Sequence, residues 1–222
     1  RPESTEHTKS LMKALTYRIE GRLNPRTKTK PVEIIKNYKV LPNGVMSLPQ
    51  GRTDLIPEGW EIEDKRVLHE VPFPLINFPL RDSQQPVYDE VNDTCIINAL
   101  VGWGKTATAL HIARKLGQKT LVITHTTALR DQWIEEVEKF YGHSPGIIGS
   151  GKYEVEDHFI VVGNVQTLTK YKDKFAKEFG TIILDEMHHC PATSFSDILD
   201  TTYARYRIGL SGTLNRTDGK HI

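Results

Sequence analysis

From residue 90 onward, apolar runs of strand length alternate with stretches whose apolar residues recur every three or four positions, the period of a helix with one buried face. Residues 94–98 (Thr-Cys-Ile-Ile-Asn) read as a buried strand, and Lys105 to Leu116, with Leu110, Ile112 and Leu116 apolar, read as an amphipathic helix. Thr120 to Thr124 predicts the next strand, and Leu129, Trp133, Val137 and Tyr141 line one face of the helix after it. Ile160 to Val162, Thr181 to Leu184 and Arg207 to Leu210 continue the strands. This alternation predicts an α/β domain with a parallel sheet. Trp133 and Tyr141 are expected in its core, not as base-stacking platforms. Upstream, Pro72, Pro74 and Pro79 read as an extended linker. Tyr38 to Leu48 offers two short strands around Pro42, Asn43 and Gly44, a hairpin signal. The expected organisation is a small α+β module with its linker over 1–75, then the α/β domain over 76–222.

Composition is that of an ordinary folded domain. An apolar fraction of 38% and a charged fraction of 26% are those of a soluble globular protein. No apolar run approaches the roughly 18–20 residues that cross a bilayer, so neither a membrane partner nor a secretory leader is expected. Cys95 and Cys190, in or beside predicted core strands, read as reduced thiols of an intracellular, cytoplasmic protein. The chain has no initiator methionine and ends shortly after Asp218, which reads as a piece of something longer.

Charge is unevenly distributed along the chain. The net value of +1 conceals ten Lys/Arg against four Asp/Glu within residues 1–40. A basic arm of this kind, with Arg22 to Lys30 as a flexible loop, is a footprint for a phosphate backbone; the alternative is an ordinary solvated face.

The chemistry begins at Ala99 to Thr106, Ala-Leu-Val-Gly-Trp-Gly-Lys-Thr, which fits the phosphate-cradling pattern Ala/Gly-x-x-x-x-Gly-Lys-Ser/Thr between a strand and a helix. Gly102 and Gly104 let the backbone wrap phosphate oxygens, so that N–H groups and the helix N-terminus hold the negative charge. Lys105 reaches the β/γ-phosphates of ATP, and the Thr106 hydroxyl ligates Mg2+. A phosphate loop also needs carboxylates. Thr181 to His188, Thr-Ile-Ile-Leu-Asp-Glu-Met-His, is a short apolar run ending in two adjacent acids. Asp185 would position the metal from the carboxyl end of a strand, and Glu186 would orient or deprotonate the attacking water. His188, His189 and Cys190 could suggest zinc, but three consecutive side chains diverge, so no zinc is expected.

Asp185-Glu-Met-His188 resembles the DEAD/DEAH box of superfamily 2 helicases, whose first motor domain is RecA-like. The rest of the chain from about residue 76 is similar to that family in order. Leu80 to Gln84 resembles the adenine-reading segment, with Gln84 as its glutamine, Gln85 as an immediate rival and Arg81 as a stacking partner for the base. Leu121 to Trp133 resembles the motif that contacts the nucleic-acid backbone, which implies roles for Thr126, Thr127 and Arg130; His125 stands where the family usually has proline. Phe159 to Leu168 resembles the following backbone-contact turn, which implicates Asn164 and Gln166, with Asn164 in place of the commoner threonine. Leu210 to Thr213 resembles the Ser-Ala-Thr motif, with glycine replacing alanine, so that Ser211, Gly212 and Thr213 would couple hydrolysis to strand movement and His188 would link them to the ATP site. Trp103 replaces a usually small residue and would cover the triphosphate or contact a neighbouring domain.

The runs Ile183 to Ala192 and Gly209 to Asp218 look closest to the XPB-like branch, which includes phage branch-migration helicases of the UvsW type. The resemblance implies an ATP- and Mg2+-dependent DNA helicase or translocase acting on duplex, forked or branched DNA in recombination, repair or replication. It would act in the host cytoplasm if phage-encoded. It also implies a second RecA-like domain beyond Ile222, carrying the arginine that completes the ATP site. Two other readings stay open: the motor subunit of a restriction or repair nuclease, although no nuclease carboxylate cluster is visible, and a nucleic-acid binding module whose ATP site is only regulatory.

Overall fold

The computed structural model describes all residues except 1–4, 21–31, 43, 187–191 and 213–222. It divides into two compact units, Arg1–Asp64 and Lys65–Ile222. In the first, helix α1 (Thr5–Ala14) leads into strand β1 (Thr16–Glu20), which pairs antiparallel with β2 (Val32–Lys36) so that Tyr17 faces Ile35. Leu11 and Leu15 of the helical turn are buried. The hairpin expected between Tyr38 and Leu48 forms from β3 (Lys39–Val40) and β4 (Met46–Ser47). A 3-10 segment, Gln50–Leu55, follows.

The second unit alternates helix and strand: α2 (Gln85–Glu90), β5 (Cys95–Asn98), α3 (Lys105–Leu116), β6 (Thr120–Thr124), α4 (Thr127–Tyr141), β7 (Gly146–Gly149), β8 (Lys152–Tyr153), β9 (Ile160–Asn164), α5 (Val165–Tyr171), β10 (Thr181–Leu184), α6 (Ala192–Thr201) and β11 (Tyr206–Ser211). The strands form one seven-stranded sheet in the order β5-β11-β10-β6-β9-β7-β8, parallel except for β8 against β7. Strand side chains alternate between faces, so each central strand feeds two cores. Val122 and Ile183 join Leu110, Ile112, Trp133 and Val137 under α3 and α4. Leu121, Ile123, Ile182 and Leu184 join Leu168, Phe175 and Ile198 on the other face.

Two expectations are corrected here. The strand before the phosphate loop is not buried throughout: β5 is an edge strand with a neighbour on one side, Ile97 is buried, and Ile96 is 46% exposed. The proline-rich segment is no free linker, and the compact units part at Asp64/Lys65, ahead of residue 75. Its prolines keep it extended, but its aromatic residues pack. The Phe73 ring centroid lies 5.1 Å from that of Phe159 and 5.9 Å from that of Tyr141. The Val71 N–H donates to Gly117 O at 3.0 Å, and Arg114 Nε donates to Pro74 O at 3.1 Å. His111, half-buried on α3, hydrogen-bonds Phe78 O at 2.9 Å.

Candidate nucleotide site and nucleic-acid edge

The loop between β5 and α3 turns on two glycines with left-handed backbone, Gly102 at φ +80° and Gly104 at φ +99°, the latter capping α3. An L side chain is strained there, and at Gly104 it also lacks room, because a Cβ would sit 2.3 Å from Gln84 Nε2. Gln84 explains the crowding. Its side chain is buried; Nε2 donates to Trp103 O and Gly104 O at 3.2 Å each, and Oε1 accepts from Arg81 N–H at 2.8 Å. Arg81, exposed, reaches Trp103 O through Nη1 at 3.5 Å. The rival Gln85 donates instead to Asp89 Oδ1 at 2.8 Å along α2. Trp103 is half-buried and packs against the core under α3.

Lys105, the first residue of α3, is nearly buried. Its ammonium donates to Ala99 O at 2.9 Å and lies 3.8 Å from Glu186 Oε1. Thr106 follows on the same turn, half-buried. Strand β10 delivers Asp185 and Glu186 from the sheet's carboxyl edge, and Glu186 itself takes a left-handed φ of +48°, unusual for a residue with a Cβ. Asp185 is 6% exposed, its backbone N–H donates to Ile123 O at 3.0 Å, and its Oδ2 accepts from Trp133 Nε1 at 2.8 Å. Burial raises its carboxyl above the ordinary aspartate range, against the Trp133 hydrogen bond; the Glu186 charge adds to the rise and the Lys105 charge opposes it. The link from Trp133 to Asp185 is the feature sequence reasoning missed. An indole N–H on a buried helix face needs an acceptor, but spacing does not say which.

Strand β11 ends beside the loop. Ser211 pairs with Asn98, its carbonyl accepts from Ala99 N–H at 3.0 Å, and a Cβ on Gly212 would lie 3.9 Å from Lys105 Nζ. The structure therefore brings together Gln84, the loop, Lys105, Asp185, Glu186, Ser211 and Gly212. His188 and Thr213, with the His188 to Cys190 run considered for zinc, lie outside the described residues.

Next along the same edge, β6 and β9 end side by side, with Thr124 opposite Asn164. Thr126 caps α4, its side-chain oxygen accepting from Leu129 N–H at 3.2 Å. Asn164 caps α5, Oδ1 accepting from Thr167 N–H at 3.0 Å, while its Nδ2 donates to Thr127 Oγ1 at 3.3 Å. Gln166 donates to His125 O at 3.2 Å. Thr126, Thr127, Asn164 and Gln166 are thus neighbours. Arg130 differs: its guanidinium is buried, donating to Asp131 Oδ1 at 2.7 Å and 2.9 Å and to Ser150 Oγ at 3.0 Å.

A parallel sheet whose carboxyl edge carries a glycine loop, a lysine at a helix N-terminus and an acidic pair is the build of a RecA-like, phosphate-loop nucleotide-binding domain. Residues 77–216 match the family described as type III restriction enzyme, res subunit (ResIII), and the chain belongs to that family. Over 214 residues it is 47% identical to "Probable helicase D10" of Escherichia phage T5, covering 95% of this chain and 46% of that protein. It is 34% identical over 166 residues to the DNA 3'-5' translocase XPB2 of Sulfurisphaera tokodaii, covering 72% of this chain and 37% of the relative. The chain thus spans less than half the length of these two relatives. Among solved structures, the UvsW helicase from bacteriophage T4 superimposes with a TM-score of 0.69 at 22% identity, covering 95% of this chain and 87% of that one. The fold is therefore shared with UvsW, and the resemblance to superfamily 2 helicases with XPB-like and UvsW-type relatives holds. No helix among the described residues is long and apolar enough to cross a membrane.

Proposed function

We propose that this chain is the ATP-binding domain of an ATP-dependent DNA helicase or translocase, which remodels duplex, forked or branched DNA inside the cell. The observation that carries the reading is the meeting of Lys105, Glu186 and Gly212 at the mouth of the loop, where three separate stretches of sequence converge. The loop suits a triphosphate. Left-handed Gly102, with open space where a Cβ would stand, leaves the backbone free for close approach, and the first turn of the twelve-residue α3 presents N–H groups to negative charge. Lys105 would exchange the Ala99 carbonyl for phosphate oxygens, and Thr106 and Asp185 would hold Mg2+. That ion, when bound, neutralises charge on the β- and γ-oxygens. Glu186 would orient the attacking water and take its proton. Gln84, tied to the loop backbone, would read adenine, with Arg81 over the base and Trp103 bracing the loop from behind.

Thr126, Thr127, Asn164 and Gln166 would grip a DNA backbone, with Arg130 shaping the turn at Ser150. Ser211 and Gly212, with Thr213 and His188, would couple the two sites, and a second RecA-like domain would supply the arginine for the transition state. Branch migration during recombination or repair is the process we favour, because the runs Ile183 to Ala192 and Gly209 to Asp218 resemble the XPB-like branch that includes phage branch-migration helicases. The family's description favours one rival, the motor of a restriction nuclease, which DNA cleavage by the complete protein would reveal.

Lys105→Ala and Glu186→Gln in the full-length protein test the reading. Lys105→Ala is expected to weaken ATP binding and abolish turnover. Glu186→Gln is expected to leave binding intact while lowering turnover by about 10²–10⁴-fold. Native turnover by Glu186→Gln would refute the assignment of the acidic pair.

A further inference from the structure

Trp133 heads the fully buried side chains by size, and on sequence alone it is one more apolar position on the inner face of α4. Its ring nitrogen makes it something else. The indole N–H donates at 2.8 Å to Oδ2 of Asp185, a carboxylate that reaches the end of β10 almost without solvent contact. A hydrogen-bond donor fixes the plane of a buried carboxylate, and a donor on a packed helix is a stiff one. The Asp185 backbone is fixed separately, through Ile123 O on the neighbouring β6. Main chain and carboxylate are thus located by different elements.

From this geometry we infer that Trp133 is a positioning residue for the metal-holding carboxylate. Its N–H takes one lone pair of Oδ2 and sets the plane in which the remaining lone pairs of Asp185 meet a divalent cation. The inference rests on the nucleotide-site reading above, and it predicts a defect that packing alone would not produce. A core tryptophan that only filled space would, on replacement, alter stability or affect nucleotide binding equally with and without metal. A positioning tryptophan affects only the part of nucleotide affinity that Mg2+ supplies.

The test is equilibrium binding of a fluorescent ADP analogue to the full-length protein, once with Mg2+ and once in EDTA. The native protein is expected to bind more tightly with Mg2+. Trp133→Phe is expected to lose roughly 10–100-fold of the affinity in Mg2+, the usual consequence of removing a partner of a metal ligand, with affinity in EDTA unchanged. Should Trp133→Phe fail to fold, replacing Trp133 with its benzothiophene isostere keeps the ring volume and removes only the N–H, and the same loss is expected. An isostere or Phe variant whose gain from Mg2+ equals the native gain overturns the inference while leaving the nucleotide site in place. A native protein that binds the analogue but gains nothing from Mg2+ overturns the metal-holding role of Asp185, and this inference with it, whereas one that binds the analogue in neither condition overturns the nucleotide-site reading.

Discussion

Asp185 faces two opposed demands, a buried place at the end of β10 and a negative charge with which to hold a metal ion. Because burial raises its folded-state pKa above the unfolded value, ionised Asp185 costs stability at any pH above the raised pKa. The cost fades as pH falls through that value and is absent below the unfolded pKa. Asp185→Asn is therefore expected to raise the Tm of the nucleotide-free protein near neutral pH, with the gain shrinking as the solution is acidified, while abolishing ATP turnover. Thermal unfolding of both proteins over a pH series checks this, and a neutral-pH Tm below native would contradict it. Gly104 carries the opposite lesson. Gly104→Ala must place a Cβ on Gln84 Nε2 in a left-handed backbone, and is expected to cost on the order of 1–2 kcal/mol in urea unfolding along with nucleotide affinity. At this scale the charged and glycine positions were legible because their spacing is chemically diagnostic. The Trp133 to Asp185 hydrogen bond was not, since it joins residues 52 apart whose pairing only the β6 and β10 neighbourhood decides.

Elements were most legible where periodicity was strong. Helix α3 and strands β6 and β10 match their expected limits, because uninterrupted apolar runs and a clean helical face leave little choice of register. Helix α5 was harder: at seven residues it offers fewer than two turns of pattern, so the cap at Asn164 is its clearest signal. That cap also donates to Thr127 at the start of α4, joining two helix starts at the sheet edge. Asn164→Ala is expected to destabilise the protein by roughly 0.5–2 kcal/mol, the usual effect of removing a helix cap. It should also weaken DNA binding with little change in ATP affinity, which denaturant titration and filter binding would separate. If DNA affinity were untouched, the edge formed by Thr126, Thr127 and Asn164 would be structural only. The proline segment misled for a physical reason: prolines encode extension, but not whether Phe73 finds a surface to pack on.

For the molecule as a whole, the asymmetry of charge is visible in sequence and has a measurable consequence. Replacing Arg22, Arg26, Lys28 and Lys30 with serine is expected to flatten the salt dependence of DNA binding, by up to about 0.9 in slope for each DNA phosphate that is no longer neutralised. An unchanged slope would leave the basic stretch as solvated surface. The order of motifs along the chain was legible because each one after the Gln84 segment closes a strand of the same sheet edge; the order of strands across the sheet was not, since crossovers leave no local signature. On the proposed function, nucleotide chemistry at Lys105, Asp185 and Glu186 is harnessed to DNA held at the adjoining edge. Steady-state ATP turnover by the full-length protein, with and without forked duplex DNA, measures that link directly. Turnover that rises strongly on adding DNA and disappears in Glu186→Gln is the expected result, and turnover indifferent to DNA would contradict the account.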